Sequence, residues 1–385
     1  MTNKYLIFSI ILTYICLIGC NEDEISGTED CNSTASGIHP KAMIYQSVID
    51  KYTAKGLPGI SILIRDNKGT WVGASGKADI DADIKMKPCI ISKGASTTKT
   101  FIGTLVVLLA QEGKLSLDEQ VEKWISQEVS SKVKNIKEST IRMLLNHTTG
   151  IFDLIDDDQF YLAVLNNPPH FWKPEELITF VFGDEPVFAA GTDVEYSNTN
   201  YLLLAMILDK VTGNDHSIAI RKKLLEPLNL NNSFYYWHDA LPTKVAQGYF
   251  DFYNNGTLVN ISNYNTGSGN GYGGMYTTVY DLQTFIEALL RNKKIINQQS
   301  LNEMMTFTKI DDGYNRANGL GIFKDYLERA PDQFGLGHRG RDLGYTADMY
   351  WFPVQDYTLT YLINYGTDAN SSLRPVFFRI QKGSC

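Results

Sequence analysis

The first apolar run, residues 6–18, follows Lys4 and is interrupted only by Ser9 and Thr13. It is too short to span a bilayer comfortably, and has the proportions of a signal-peptide core. After a polar stretch the texture changes. Residues 59–65, the turn Asp66-Asn67-Lys68-Gly69 and residues 70–74 predict a strand, a tight turn and a returning strand. Near the other end, residues 346–352, a turn at 353–356 and residues 357–364 repeat the pattern. Residues 39–55 and 372–382 carry apolar positions at helical spacing and predict covering helices. Between the two ends, residues 97–112 hold Phe101, Ile102, Leu105, Val106, Leu108 and Leu109, apolar on most sides. That pattern predicts a buried helix with Gly113 as its C-terminal cap. Further helices are predicted over 141–145, 174–182, 198–211, 217–225 and 279–290. Sheet-forming ends around a helical middle predict an α+β fold, an antiparallel sheet flanked by helices with an inserted, mainly helical lobe.

Composition narrows the function. A length of 385 residues first suggests two or three units, and 43% hydrophobic residues exclude wholesale disorder. With 43 acidic against 35 basic side chains and a net charge of −8, the chain has no electrostatic footprint for nucleic acid.

The apolar run ends in Leu17-Ile18-Gly19-Cys20, which resembles a bacterial lipoprotein cleavage site and implies lipidation at Cys20. The expected division is a signal peptide at 1–19, a flexible tether at 20–38 and one folded body at 39–385. The sheet lobe is expected at about 39–95 and 271–385, the helical lobe at about 96–270. The lipid would be the membrane contact, and the protein is expected in the bacterial envelope, facing the periplasm or the cell surface. Of the remaining cysteines, Cys31 and Cys385 are expected to pair, and Cys89, in an apolar stretch, to be an inert buried thiol.

Chemistry is concentrated at the start of the buried helix. Ser96-Thr97-Thr98-Lys99 places an amine one helical turn from a hydroxyl. Serine is a weak nucleophile until a base takes its proton, and backbone N–H groups at a helix N-terminus favour developing negative charge. A second copy of the spacing, Ser131 to Lys134, lies in a charged stretch and reads as solvated surface. Tyr196-Ser197-Asn198 follows 100 residues after Ser96, and His338-Arg339-Gly340 stands just before a predicted strand. Tyr253 and Asn255 repeat the tyrosine–asparagine spacing inside a Gly-Asn loop and read as a decoy.

With these three motifs in order, the chain resembles the serine β-lactamase and penicillin-binding-protein superfamily. The branch is that of class C β-lactamases, D-alanyl-D-alanine carboxypeptidases, D-aminopeptidases and related esterases. The resemblance includes Gly56-Leu57-Pro58-Gly59, residues 112–118, Asn146-His147-Thr148-Thr149-Gly150 and Gly273-Gly274-Met275-Tyr276. It implies a β-lactamase/transpeptidase-like fold, with Ser96 as acylated nucleophile and Lys99 as its partner. Tyr196 is implied as proton relay, and Asn198 as donor to the substrate's acyl-side carbonyl; whether Lys99 or Tyr196 is the base stays open. The implied oxyanion hole is the backbone N–H of Ser96 and of Arg341.

The third motif departs from the Lys-Thr-Gly of true β-lactamases, since His338 takes the lysine's place and Gly340 the glycine's. Unperturbed histidine is mostly neutral at pH 7, so any cation for a substrate carboxylate would come from Arg339 or Arg341, both otherwise read as surface arginines. His147 reads as part of a structural turn, and the other histidines show no metal-ligand spacing, so neither metal nor cofactor is expected. The leading reading is a serine hydrolase of D-Ala-D-Ala-type peptides or related amides and esters. An esterase or D-aminopeptidase, a class C-like β-lactamase and a non-catalytic penicillin-binding sensor are the alternatives.

Overall fold

The computed structural model describes residues 39–366 apart from Asn254 and residues 312–314. The signal, the tether, Cys20, the Cys31–Cys385 pairing and the helix expected over 372–382 lie outside the described residues. Among the described residues, no helix is long and apolar enough to cross a membrane.

Both predicted hairpins join one nine-stranded antiparallel sheet, whose strands are numbered here in chain order. They are β1 (Gly59–Asp66), β2 (Gly69–Asp79), β3 (Ile84–Lys85), β4 (Ile310–Asp311), β5 (Arg316–Asn318), β6 (Phe323–Asp325), β7 (Gly335–Asp342), β8 (Tyr345–Phe352) and β9 (Tyr357–Ile363). Their spatial order is β3-β2-β1-β9-β8-β7-β6-β5-β4, so strands from early and late in the sequence meet where β1 pairs with β9. Ile60 opposite Ile363 and Ile62 opposite Tyr361 close that seam with fully buried side chains.

The first helix, Ala42–Thr53, covers one face of the sheet and buries Ile49 and Tyr52. The central helix, Thr98–Gln111, lies at the heart of the main core. Phe101, Ile102, Leu105 and Val106 are wholly inaccessible, and the Phe101 ring stacks on Phe285 at 3.7 Å. A helix apolar all round has no solvent face to give up, which is why this one is enclosed rather than laid on the surface. It is preceded by a 3-10 turn, Ala95–Thr97, and Gly113 follows with φ +70°. The helix Asn198–Thr212 begins two residues after Tyr196, and its first two turns are buried all round in the same core.

Cys89 is buried as expected, but it is disulfide-bonded rather than a free thiol, and its partner lies outside the described residues. An apolar neighbourhood suits either form of the sulfur, so burial alone did not discriminate between them. The second Ser-x-x-Lys copy is surface: Ser131 is exposed, its hydroxyl donates to the Glu128 carbonyl, and Lys134 pairs with Glu185. Tyr253 of the other decoy is 73% exposed.

Candidate active site

The turn that carries Ser96 is held on both sides. Gly94 N–H donates to the Met275 carbonyl (2.7 Å) and Met275 N–H to Thr98 Oγ1 (3.0 Å). Thr97 and Thr98 hydroxyls donate back to the Gly94 and Ala95 carbonyls. Ala95 has φ +48°, a conformation that costs a residue with a Cβ about 1–2 kcal/mol. The strain sits immediately before the serine, and the hydrogen bonds around it keep the turn in place.

Lys99 is fully buried, and its ammonium reaches three acceptors. Nζ donates to Ser96 Oγ (3.1 Å), to Asn198 Oδ1 (2.7 Å) and to the Tyr272 carbonyl (2.5 Å). A buried cation is tolerated only when its donors are met, and here each N–H has an acceptor. Asn198 Nδ2 in turn donates to Asp153 Oδ2 (2.9 Å). Burial pushes the Asp153 carboxyl up to about 7, against the Asn198 hydrogen bond and the Lys99 charge. The result is a continuous buried chain from Ser96 through Lys99 and Asn198 to Asp153.

Tyr196 is surrounded by charge and by rings. Its centroid lies 4.9 Å from Lys99 Nζ and 5.1 Å from the Arg316 guanidinium carbon. His147 lies against it at 4.4 Å, and Phe323 and His338 are 6.1 and 6.2 Å away. His147 is therefore more than a turn former: its Nδ1 accepts from Ser197 N–H (3.2 Å), tying the turn at 146–150 to the tyrosine segment. Burial, with the charges of Lys99 and Arg316, holds His147 and His338 well below the ordinary histidine value, so both are neutral.

On β7, side chains alternate between faces. His338 and Gly340 share the face toward Ser96, and a Cβ at Gly340 would stand 2.3 Å from the Gly94 carbonyl and 3.2 Å from Ser96 N. The glycine is what lets the strand lie against the nucleophile turn. Arg339 and Arg341 point the other way, which corrects both readings of them. Arg339 makes two charge-assisted bonds to Asp325 on β6, and Arg341, part-buried, reaches Asp348 on β8 (2.9 Å), so both are committed to carboxylates of the sheet rather than spare cations for a substrate carboxylate. Further along, Asp342 forms a buried ion pair with Lys93 (2.7 Å) and accepts from Thr266 and Ser268 hydroxyls. A narrow cleft opens beside the serine, lined by Ser96, Asn198, Thr266, Ser268, Tyr272 and Arg341 among others.

Of the predicted site residues, Ser96, Lys99, Tyr196, Asn198, His338 and Gly340 converge, and Arg341, whose side chain reaches Asp348, lines the cleft beside Ser96. Asp153 and Arg316 were not foreseen. Asp153 follows the Asn146–Gly150 turn by three residues, a proximity that was available as a signal; Arg316 carries no motif at all. Elsewhere, Asp209, Asp215 and His216 bring ligand-capable atoms within 4.8 Å of one another, again without a sequence signature. Hydrogen bonds account for that group, since His216 N–H donates to Asp209 Oδ1 (2.6 Å), His216 Nδ1 lies 2.9 Å from the same oxygen, and Asp215 accepts from Ser217 N–H and lies against His238 Nδ1.

Comparison with known proteins fits this geometry. The beta-lactamase family model matches residues 45–375. "Protein flp" of Staphylococcus aureus (strain MRSA252) is 27% identical over 330 residues, covering 84% of this chain and 62% of its own length. "Penicillin-binding protein 4*" of Bacillus subtilis (strain 168) is 26% identical over 306 residues, covering 75% of this chain and 64% of its own. The chain thus spans less than two thirds of these relatives. Among solved structures, a D-stereospecific amidohydrolase from Streptomyces sp. superposes with a TM-score of 0.77 at 28% identity, covering 89% of this chain and 99% of that one. A D-amino acid amidase from Ochrobactrum anthropi SV3, complexed with D-phenylalanine, gives 0.76 at 26% identity, covering 88% of this chain and 96% of that one. The family match runs through the serine helix, the tyrosine segment and the β7 triplet alike, and the chain belongs to the beta-lactamase family.

Proposed function

We propose that the protein is a serine hydrolase that cleaves amide bonds of D-amino acid derivatives, D-Ala-D-Ala-type peptides included, through an acyl-enzyme on Ser96. The observation that carries this reading is Lys99, buried and bonded at once to Ser96 Oγ and Asn198 Oδ1. The likeness to D-amino acid amidases supports the amide class. In this reading Lys99 stays an ammonium held by Asn198 Oδ1 and the Tyr272 carbonyl, and Tyr196, whose ring lies within about 5 Å of both Lys99 Nζ (4.9 Å) and the Arg316 guanidinium (5.1 Å), serves as the base.

Ser96 Oγ attacks the substrate carbonyl and its proton passes to Tyr196. The oxyanion is met by the N–H groups of Ser96 and Arg341. As the tetrahedral species collapses, Tyr196 returns the proton to the departing amine, leaving an ester on Ser96; water then repeats the sequence and frees the acid. Asn198, with one amide hydrogen on Asp153, directs the other at the substrate carbonyl. The lipid at Cys20 and the envelope location are part of the same proposal, tested by fatty-acid labelling of the wild type against Cys20→Ala.

The decisive experiment treats wild type and Ser96→Ala with a fluorophosphonate probe, a D-amino acid amide, a D-Ala-D-Ala peptide, a penicillin and a short-chain nitrophenyl ester. Labelling and amide turnover should both vanish in Ser96→Ala. Turnover that survives the substitution overturns the mechanism, and labelling without turnover of any substrate favours a sensor.

A further inference from the structure

We propose that His238, as an imidazolium, is a positioning residue that holds residues 267–274 where the Tyr272 carbonyl meets Lys99. The inference rests on the acyl-enzyme reading above, and adds to it the group that keeps one Lys99 acceptor in place.

Residues 267–274 reach the site twice: Ser268 and Tyr272 line the cleft, and the Tyr272 carbonyl takes a Lys99 hydrogen bond (2.5 Å). The same segment is gripped at two further points, each ending in an aspartate–histidine pair. At the first, His238 Nε2 lies 3.0 Å from the Gly269 carbonyl and His238 Nδ1 lies 2.9 Å from Asp215 Oδ2. A carbonyl and a carboxylate only accept, so both ring nitrogens carry hydrogen and the ring is a cation. At the second, Gly271 N–H donates to the Tyr235 hydroxyl (3.1 Å), which lies 3.2 Å from His216 Nε2, while His216 Nδ1 faces Asp209 Oδ1 at 2.9 Å. Having accepted from Gly271, that hydroxyl gives its own hydrogen to His216 Nε2. One pair donates to the segment and the other accepts from it. The rings pack as a unit, Tyr235 stacked on His238 at 4.9 Å and His216 edge-on to it at 5.1 Å.

The surroundings favour the cation. Burial works against it, but Asp215 and the Gly269 carbonyl, with Asp209 behind them, outweigh burial and raise the imidazole above the ordinary 6.5. Despite its own burial, Asp215 is held below the ordinary carboxylate range by hydrogen bonds from His238 and Ser217. The neighbouring Asp239 carboxylate is engaged by Tyr235 N–H (2.7 Å) and Arg221 (2.6 Å). Residues 267–274 bring no ionisable side chain except Tyr272, whose hydroxyl donates to the Thr266 carbonyl. When the ring loses a proton, the hydrogen facing the carboxylate is the one retained, because that bond is charge-assisted. A nitrogen lone pair is then left against the Gly269 carbonyl, and the grip becomes a repulsion. The grip is thus fully present below the ordinary histidine value and lost as pH rises through the raised folded one.

The test follows the rate of fluorophosphonate labelling at Ser96 against pH for wild type, His238→Gln, His238→Leu and Asp215→Asn, with hydrogen exchange of residues 267–274 and the thermal midpoint on the same samples. His238→Gln, whose amide donates at any pH, should label within roughly threefold of wild type near pH 6, and His238→Leu roughly tenfold more slowly at every pH. Dividing the wild-type rate by that of His238→Gln cancels titrations elsewhere. The quotient should fall as pH rises past the ordinary 6.5, in step with faster exchange in the wild type, and Asp215→Asn should shift that fall to lower pH. Nitrogen NMR of histidine-labelled wild type near pH 6, assigned by the signals missing from His238→Gln, should show both His238 nitrogens protonated. A neutral His238 there overturns the proposal. So does a pH profile that neither His238→Gln nor Asp215→Asn moves, even if midpoints fall, and these two variants decide the matter if His238→Leu does not fold. Wild type that takes no label would sink the acyl-enzyme reading, while exchange and NMR judge His238 independently.

Discussion

Two buried lysines stand on either side of the nucleophile, and they are held in different ways. Lys93, three residues before Ser96, is 2% exposed and paired with the Asp342 carboxylate at 2.7 Å, which itself takes hydrogen bonds from Thr266 and Ser268. Lys99, three residues after it, is met by a hydroxyl, a side-chain amide oxygen and a backbone carbonyl. A cation locked to a carboxylate is spent on that one partner, whereas one held by neutral oxygens keeps its charge available to the groups around it. Burial alone therefore does not mark the chemical lysine. The kind of oxygen around it does.

Removing each lysine should separate the two roles most sharply. Lys99→Met is expected to lower kcat/KM for the best amide substrate by roughly 10³-fold or more while leaving the thermal midpoint near that of the wild type. Lys93→Met strands a buried carboxylate and should cost about 3–5 kcal/mol in urea unfolding, with activity falling only as the fold does. The double variant Lys93→Met/Asp342→Leu should regain most of that loss. If Lys93→Met left stability untouched while abolishing turnover, the contrast between the two lysines would be mistaken.

The sequence made one side of this contrast visible. Ser96 and Lys99 lie one helical turn apart, Tyr196 and Asn198 flank the start of a helix, and His338 and Gly340 alternate on a strand, so local periodicity alone placed each pair on one face. The same alternation, applied strictly, also turns Arg339 and Arg341 away from the serine; treating them as candidate cations overlooked it. Asp153 and Arg316 were beyond local rules. Asp153 reaches Asn198 across 45 residues of chain, and Arg316 reaches the tyrosine from β5, so only tertiary packing brings them in. The helix Asp158–Asn166 also escaped the periodicity reading; only Phe160 and Val164 are buried, and Asp157 caps it. Cys89 was legible as buried and not as bonded, because a disulfide depends on a second residue that local pattern does not locate.

Asp153 sharpens the comparison from the acid side, as the buried carboxyl at the far end of the Lys99 chain. Its folded value is raised from the ordinary 3.8 to about 7. Between those values the folded state holds a proton that the unfolded state has released, so stability falls as pH rises from about 4 to 7 and is lowest above it. Asp153→Asn removes that titration while keeping an oxygen to accept from Asn198. The variant should lose the slope, and should gain relative to wild type by up to a few kcal/mol between pH 4 and pH 8 in urea unfolding. An unchanged slope would place the titration elsewhere, with Asp156, whose carboxyl burial also raises, the next group to substitute.

The smallest expected effect concerns the other cation beside Tyr196. Arg316 lies 5.1 Å from the ring centroid, and its charge, like that of Lys99, favours the phenolate over the phenol. Arg316→Gln keeps a polar, planar side chain over Phe323 and removes the charge. Without it the phenol holds its proton more tightly. The acid limb of the kcat/KM profile should therefore move to higher pH, with the plateau reduced less than tenfold. Wild type and variant measured across the same pH range with one amide substrate give both quantities. A limb that stays in place, or moves to lower pH, would mean that Lys99 alone sets the tyrosine's charge, and that Arg316 serves β5 and the Phe323 stack rather than the proton transfer.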